Sequence, residues 1–478
     1  MRKYLGIVLV GAMAAFGAGC GDDGVTGGTG GTGGTGGGGQ CVIEIGLDSD
    51  EISEDTSWDR PECDYVLTRI IYVVTPDGAS DPTTLTIAPG VTVKGDNQSA
   101  LVISRGSEIV AEGEVDNPIV MTSSRAVGDR DRGDWGGLAL LGSAVINRGL
   151  GTCGGATGVV CEDALEGLEA TEPRARFGGD DNNSSCGTLK YVRIEFAGFE
   201  IAPNNELNGL TLGGCGSGTT LDYIQVHRGL DDGVEFFGGT ANISHVIVDG
   251  MGDDGLDWDQ GYQGTIENFI SHHYAGRTDD PRGIEADNFG SQTNIEPRSN
   301  PTLQYGTVVA DPADAQVDQG VVLRRGTWGS LDGLVVEGYR QAGVDIRDDG
   351  WVTGWPTNLV VRNSCFFDND PDYPTDTNCS LDDSEDPPVT TGDSDCNDFN
   401  ATPGSGGEED EANYFPEDTN MADAALMNRI EDPETSDYST AATGGTPNYA
   451  VGNTSCMGAF APDGTDWTLG GWTAFPVN

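Results

Sequence analysis

The stretch from Leu221 to Gly290 constrains the fold more than any other, because it repeats itself. With a shift of 22 residues, Asp231-Asp232-Gly233 falls on Asp253-Asp254-Gly255, Glu235 on Asp257, and Gly239 on Gly261. The motif returns as Gly283-Ile284-Glu285-Ala286-Asp287 and, more weakly, as Gly343-Val344-Asp345-Ile346-Arg347. A period of about 20–25 residues, with two short apolar alternations between Gly/Asp corners, is the signature of a solenoid. One such unit cannot bury its own apolar face, so the units must stack.

Side chains alternate across a strand. With Val234, Leu256, Ile284, Leu323 and Ile346 inward, one outward column reads Glu235, Asp257, Glu285, Val322 and then Asp345 or Arg347. The next reads Phe237, Asp259, Asp287 and Arg324, with Arg347 near its end. Stacked strands repeat about every 4.8 Å. Asp257, Asp259, Glu285 and Asp287 are then expected to form a two-by-two patch, with Glu235 above and Arg324 below. Two charges 4.8 Å apart repel by about 0.9 kcal/mol in water and roughly 3.5 kcal/mol at an effective dielectric of 20. Such a patch must take up a cation, a proton or an arginine. An oxygen-only ligand set suits Ca²⁺ better than zinc, so Glu235, Asp257, Asp259, Glu285 and Asp287 are the candidate metal ligands. The plainer alternative is a solvated acidic face. The Asp-Asp-Gly corners have a turn role available, since Asp side chains close turns on nearby N–H groups.

Charge narrows the partners. The chain has 24 Lys and Arg against 78 Asp and Glu, for a net charge of -54. That field argues against nucleic acid and anionic membrane. It also repels polyanionic glycans unless a divalent cation bridges, so a neutral polysaccharide is easier to accommodate. No run of 18 apolar residues is present to span a bilayer. A monomer is expected.

Residues 1–19 read as an export signal: Arg2 and Lys3, an apolar run from Leu5 to Phe16, then Gly17-Ala18-Gly19 before Cys20. This resembles a bacterial lipoprotein signal, although Gly17 stands where that family usually has Leu. The resemblance implies lipidation of Cys20 and anchoring to the cell envelope. The Gly/Thr-rich run at 20–40 would be a flexible tether, spanning roughly 25 Å root-mean-square. Beyond Cys20, ten cysteines suit a disulfide framework in an exported chain. Local pairing gives Cys41–Cys63, Cys153–Cys161, Cys186–Cys215, Cys365–Cys379 and Cys396–Cys456, a connectivity the sequence does not fix.

The order "IAPGVTVKG", "LVISRGSEIVAEG", "NPIVMTS", "GDWGGLALLGSAVIN" resembles the right-handed parallel β-helix (pectin-lyase-like) superfamily. A late signature of Gly458-Ala459-Phe460, Asp466-Trp467-Thr468 and Gly471-Trp472-Thr473 resembles exported bacterial relatives within it. The resemblance implies an all-β chain, a single right-handed parallel β-helix with disulfide-held loop excursions. The expected order is an N-terminal cap at 41–84, the helix at 85–350, an acidic excursion at 351–420, and a C-terminal coil at 421–478. There Trp467 and Trp472 would cap the far end. Within the excursion, "DCNDFNATPGS" resembles short metal-binding repeats of exported proteins, in one copy only.

Fold alone does not set activity. Polysaccharide lyases of the superfamily pair acidic Ca²⁺ ligands with an Arg or Lys base, which makes Arg324 and Arg347 catalytic candidates; charge balance for Asp287 and Asp345 is the simpler role. A glycoside hydrolase would need two carboxylates roughly 5–9.5 Å apart, which Asp257 with Asp287, or Asp259 with Glu285, would supply. No Ser/His/Asp pattern gathers around the four histidines, and no G-x-S-x-G occurs. Trp258 falls on the inward phase; Trp328 and Trp351 are better placed to stack on a sugar. Three functions stay open: a ligand-binding surface β-helix for glycan or Ca²⁺, a lyase or hydrolase, and a structural or adhesion protein.

Overall fold

The computed structural model describes residues 41–148, 160–202, 205–274, 281–289, 294–310, 317–346, 358–362, 364–367, 369, 380–382, 389–391, 458–459 and 467–476. The signal, Cys20 and the tether lie outside these residues. So do Arg347, Trp351, Cys153, Cys379, Cys396, Cys456 and the "DCNDFNATPGS" loop.

The chain is all-β, and its strands stack in parallel into a right-handed β-helix. One wall is a ten-stranded sheet from Glu51–Ile52 through Leu138–Leu141, Leu210–Gly213, Val234–Phe237, Leu256–Asp259, Ile284–Ala286 and Gln319–Leu323 to Ala342–Ile346. The other large sheet has 15 strands among the described residues and turns a corner. Its long strands, such as Gly187–Glu195, pair one half with Glu108–Glu112 and the other with Ile119–Ser123. Each coil therefore has three faces.

The corner falls on one residue per coil. Tyr191, Tyr223, His245, Asn268 and Tyr305 take φ between 48° and 57°, and Gly333 follows at 75°. For a non-glycine residue that conformation costs on the order of 1–2 kcal/mol. Stacking offsets part of it: Tyr191 lies 4.5 Å from Tyr223, and Tyr223 4.3 Å from His245, ring centre to ring centre. Such pairs contribute about 0.5–1.5 kcal/mol each.

The repeated glycine has a packing reason. Gly209, Gly233, Gly255, Gly283 and Gly320 stack coil upon coil, just ahead of the wall strands. A Cβ on them would stand 2.0–2.3 Å from Val226, Val248, Ser271, Val308 or Val336 across the core. The first inward column is Leu210, Val234, Leu256, Ile284, Val321 and Val344. The second is Leu212, Phe236, Trp258, Ala286, Leu323 and Ile346. Leu323 and Ile346 thus point inward as expected, but one column further along than the sequence alignment placed them. Trp258 is fully buried and donates to Thr327 Oγ1 at 3.1 Å.

Two expected boundaries move, and the C-terminal residues lie elsewhere than expected. Residues 41–84 are not a separate cap: Cys41–Ile45 already pairs in register with Cys63–Leu67, and a Cys41–Cys63 disulfide joins those two coils. At the other end Leu359–Arg362 and Cys365–Phe367 still pair with Gly329–Glu337, so the helix runs past 350. The described C-terminal residues lie along the flank rather than over the far end. Trp472 packs edge-on to Tyr191 and Tyr223, and Trp467 against His245. Gln225 brackets Ala474 through its N–H (2.9 Å) and its carbonyl (2.8 Å).

The Cys186–Cys215 disulfide forms as expected and is buried in the core. Cys161 is disulfide-bonded as well. The excursion that carries it lays Leu165, Ala175 and Phe177 over the outer side of the ten-stranded wall, on Tyr72, Val102, Ala139, Leu141 and Phe237.

Candidate functional site: the acidic ladder

The acidic ladder begins where that apolar cover stops. One outward column of the wall reads Thr211, Glu235, Asp257, Glu285, Val322, Asp345 in register, as expected, with Asp345 rather than Arg347 at its end. In the next, Asp259 follows Phe237. Backbone bonds from Asp287 N to Trp258 O (2.8 Å) and from Arg324 N to Ala286 O (2.9 Å) carry that column on to Asp287 and Arg324. Asp257 and Glu285 are immediate neighbours on adjacent coils.

The expected four-carboxylate patch is nevertheless divided in two. In its lower half, Arg324 Nε contacts Asp287 Oδ1 at 2.9 Å, and the same guanidinium binds Glu285. Arg325 reaches Asp287 Oδ2 at 2.5 Å, and Arg282 reaches Glu285 Oε1 at 2.9 Å. Among the described residues no ion pair reaches Asp232, Glu235, Asp257 or Asp259, which form the upper half. Oδ1 of Asp257 and Oδ1 of Asp259 are buried and accept no hydrogen bond.

Asp232 and Asp254, two corner aspartates, belong to the site as well as to the turns. Each closes the next coil: Asp232 Oδ1 accepts from Asp254 N at 2.9 Å, and Asp254 Oδ1 accepts from Arg282 N at 2.7 Å. Ligand oxygens of Asp232, Glu235 and Asp257 lie within 4.8 Å of one another, as do those of Asp254, Asp257 and Glu285, and of Asp231, Asp232 and Asp253. The first of these sets lies wholly above the arginines. The signal for it was present in the sequence, because the Asp-Asp-Gly corner and the following Glu or Asp repeat at the same spacing.

Burial, then the field of neighbouring carboxylates, pushes Asp232, Glu235, Asp254 and Asp257 well above the usual carboxylate range. Asp259 is raised by burial too, against the pull of Arg148. Glu285 is raised by burial while Arg324 and Arg282 oppose the rise. Arg324 is itself held above its ordinary value: burial works against the charge, and Asp287 and Glu285 outweigh it. It is a fixed countercharge, poorly suited to give up a proton as a base. An array of hard oxygen donors with unsatisfied buried lone pairs fits a divalent cation of the Ca²⁺ type.

The other candidates fare differently. Trp328 lies 4.8 Å beneath the Arg298 guanidinium, which covers one ring face. His227 and Asp249 meet at 2.5 Å between the second sheet and the C-terminal segment, with Pro476 O 2.8 Å from the other ring nitrogen. That pair fastens the segment and stands apart from the acidic ladder.

No curated protein sequence and no solved structure matches the chain. Residues 51–404 match the family described as the pectate-lyase like β-helix domain, which takes in nearly all of the stacked coils. By that match and by its parallel three-faced coils, the chain belongs to the pectate-lyase-like β-helix family.

Proposed function

We propose that this chain is an exported, lipid-anchored surface β-helix that holds Ca²⁺ in the upper half of its acidic ladder and engages a polysaccharide there. The observation that carries the reading is the Asp232, Glu235, Asp257 set: its oxygens converge within 4.8 Å, and among the described residues no ion pair reaches it and one of its buried oxygens has no donor. Family membership supports a polysaccharide-related role. The net charge of -54 favours a neutral glycan, or an acidic one bridged by the cation. Calcium calorimetry on wild type and on Glu235→Gln/Asp257→Asn tests the site; equal binding by both would remove it. A glycan array with and without Ca²⁺ then tests the ligand. For the anchor, Cys20→Ala should move the protein from the detergent phase to the aqueous phase on Triton X-114 partition.

Glycoside hydrolysis is the second reading, favoured by one observation. Glu235 and Asp257 are adjacent carboxyls whose proton affinities are both raised, the first requirement for a general acid. Release of reducing sugar that Asp257→Asn abolishes would support it. Lyase chemistry through Arg324 is not supported by a guanidinium clamped between two carboxylates, and a lack of absorbance at 235 nm is expected.

A further inference from the structure

The column of corner residues holds one member that is not a carboxylate. Gly209, Gly233 and Gly255 stack, so the residues before them, Asn208, Asp232 and Asp254, stack too; Gly209 N donates to Asp232 O at 2.9 Å. Asn208 is 3% exposed. Its amide NH₂ donates to Glu235 Oε2, a member of the proposed cation set, and stands 3.5 Å from Thr211 Oγ1. Its carbonyl Oδ1 is buried and accepts no hydrogen bond among the described residues. A buried amide oxygen without a donor is costly, of the order of 1–3 kcal/mol. Amide oxygen and nitrogen are nearly equal in size, so the half-turn about χ2 that exchanges Oδ1 for Nδ2 leaves the packing of the side chain unchanged. It would set a neutral oxygen beside Glu235, one coil above Asp232.

We infer that Asn208 is a neutral oxygen ligand of the same cation, contributed by its side-chain carbonyl. This rests on the cation reading above. Asn208, Asp232, Glu235 and Asp257 then make a two-by-two set over three coils, three carboxylates and one amide. Ca²⁺ takes six to eight oxygens at about 2.3–2.6 Å and accepts amide carbonyls among them. A fourth carboxylate in this place would add to a repulsion that burial already makes severe; an amide supplies an oxygen without a charge. The same position one coil below Asp254 is Arg282, which fills the corresponding space with a cation of the protein's own.

The test uses the full chain, with Ca²⁺ by calorimetry and Eu³⁺ by luminescence lifetime in H₂O and D₂O, which counts metal-bound waters. Asn208→Leu should weaken Ca²⁺ about tenfold or more and add one water to bound Eu³⁺. Asn208→Asp keeps the oxygen but cannot donate to Glu235; it should bind at least as tightly as wild type, with a cation-free protein that melts lower. If Asn208→Leu loses affinity without gaining a water, or Asn208→Asp loses as much as Asn208→Leu, then Asn208 only positions Glu235 and the ligand assignment is overturned. Should Asn208→Leu fold poorly, the Asn208→Asp comparison decides alone. A wild type that binds neither ion overturns the cation site itself, whereas a wild type that binds both, with an indifferent position 208, overturns only this inference.

Discussion

Replacing Arg324 with Gln isolates the device that divides the ladder. The guanidinium lies between Glu285 and Asp287, and the three side chains are 14%, 12% and 6% exposed. Around it Asp254, Glu285 and Asp287 are balanced by Arg282, Arg324 and Arg325. Arg324→Gln leaves one uncompensated negative charge in a buried wall that already faces Asp257. Breaking a buried pair by removing one partner costs about 3–5 kcal/mol. Arg282 remains on Glu285 and Arg325 on Asp287, so the loss should fall at the lower end, about 3 kcal/mol. Urea unfolding at pH 7 in chelator, followed by tryptophan fluorescence, measures it. The pH dependence has a definite sign. Glu285 is raised by burial even with its arginines in place, and losing one raises it further. As pH falls, Glu285 takes up a proton more readily in the variant than in wild type, the stray charge vanishes, and the deficit shrinks. A deficit under about 0.5 kcal/mol, the level of an ordinary surface change, would refute the reasoning. So would a deficit that grows on acidification.

Three further outcomes are expected. Asp232, Glu235, Asp257 and Asp259 are all raised in the fold. The folded chain therefore binds more protons than the unfolded one, and cation-free stability falls as pH rises from the ordinary carboxylate range toward their folded values. Ca²⁺ should raise the melting temperature more at pH 7 than at pH 5, and calorimetry with and without chelator checks both statements. Gly233→Ala puts a Cβ 2.0 Å from Val248 Cγ1 and should cost about 1–3 kcal/mol; the double variant with Val248→Ala should recover part of it, as urea midpoints would show. Trp472→Ala removes a fully buried ring from the aromatic corner. It should expose the C-terminal segment to limited proteolysis while the solenoid keeps its main melting transition; loss of that transition would mean the segment is part of the core.

What the sequence showed and what it hid divide along physical lines. Period and parity were legible because backbone stacking and strand alternation are local: the shift of 22 puts Glu235 beside Asp257, and the pairing confirms it. The aromatic corner was not legible, since nothing in a Tyr predicts a left-handed φ; stacking of Tyr191, Tyr223 and His245 on one another offsets part of its cost. With that ladder unseen, Trp467 and Trp472 had no flank to bind. The division of the acidic patch was hidden for a different reason, because arginine reaches across coils. Arg324 was foreseen below the patch, but Arg282 neutralises Glu285 from a corner position that is Asp in the two coils above. The corner column thus changes from Asn208 to Asp232, Asp254 and then Arg282, from neutral to acidic to basic within four coils. A repeat that served packing alone would have no use for that sequence of charges, since the glycine beside each corner residue already meets the packing demand. The acidic set is confined between an apolar cover above and arginines below, and that confinement is the ground for proposing a cation site there rather than a merely solvated acidic face.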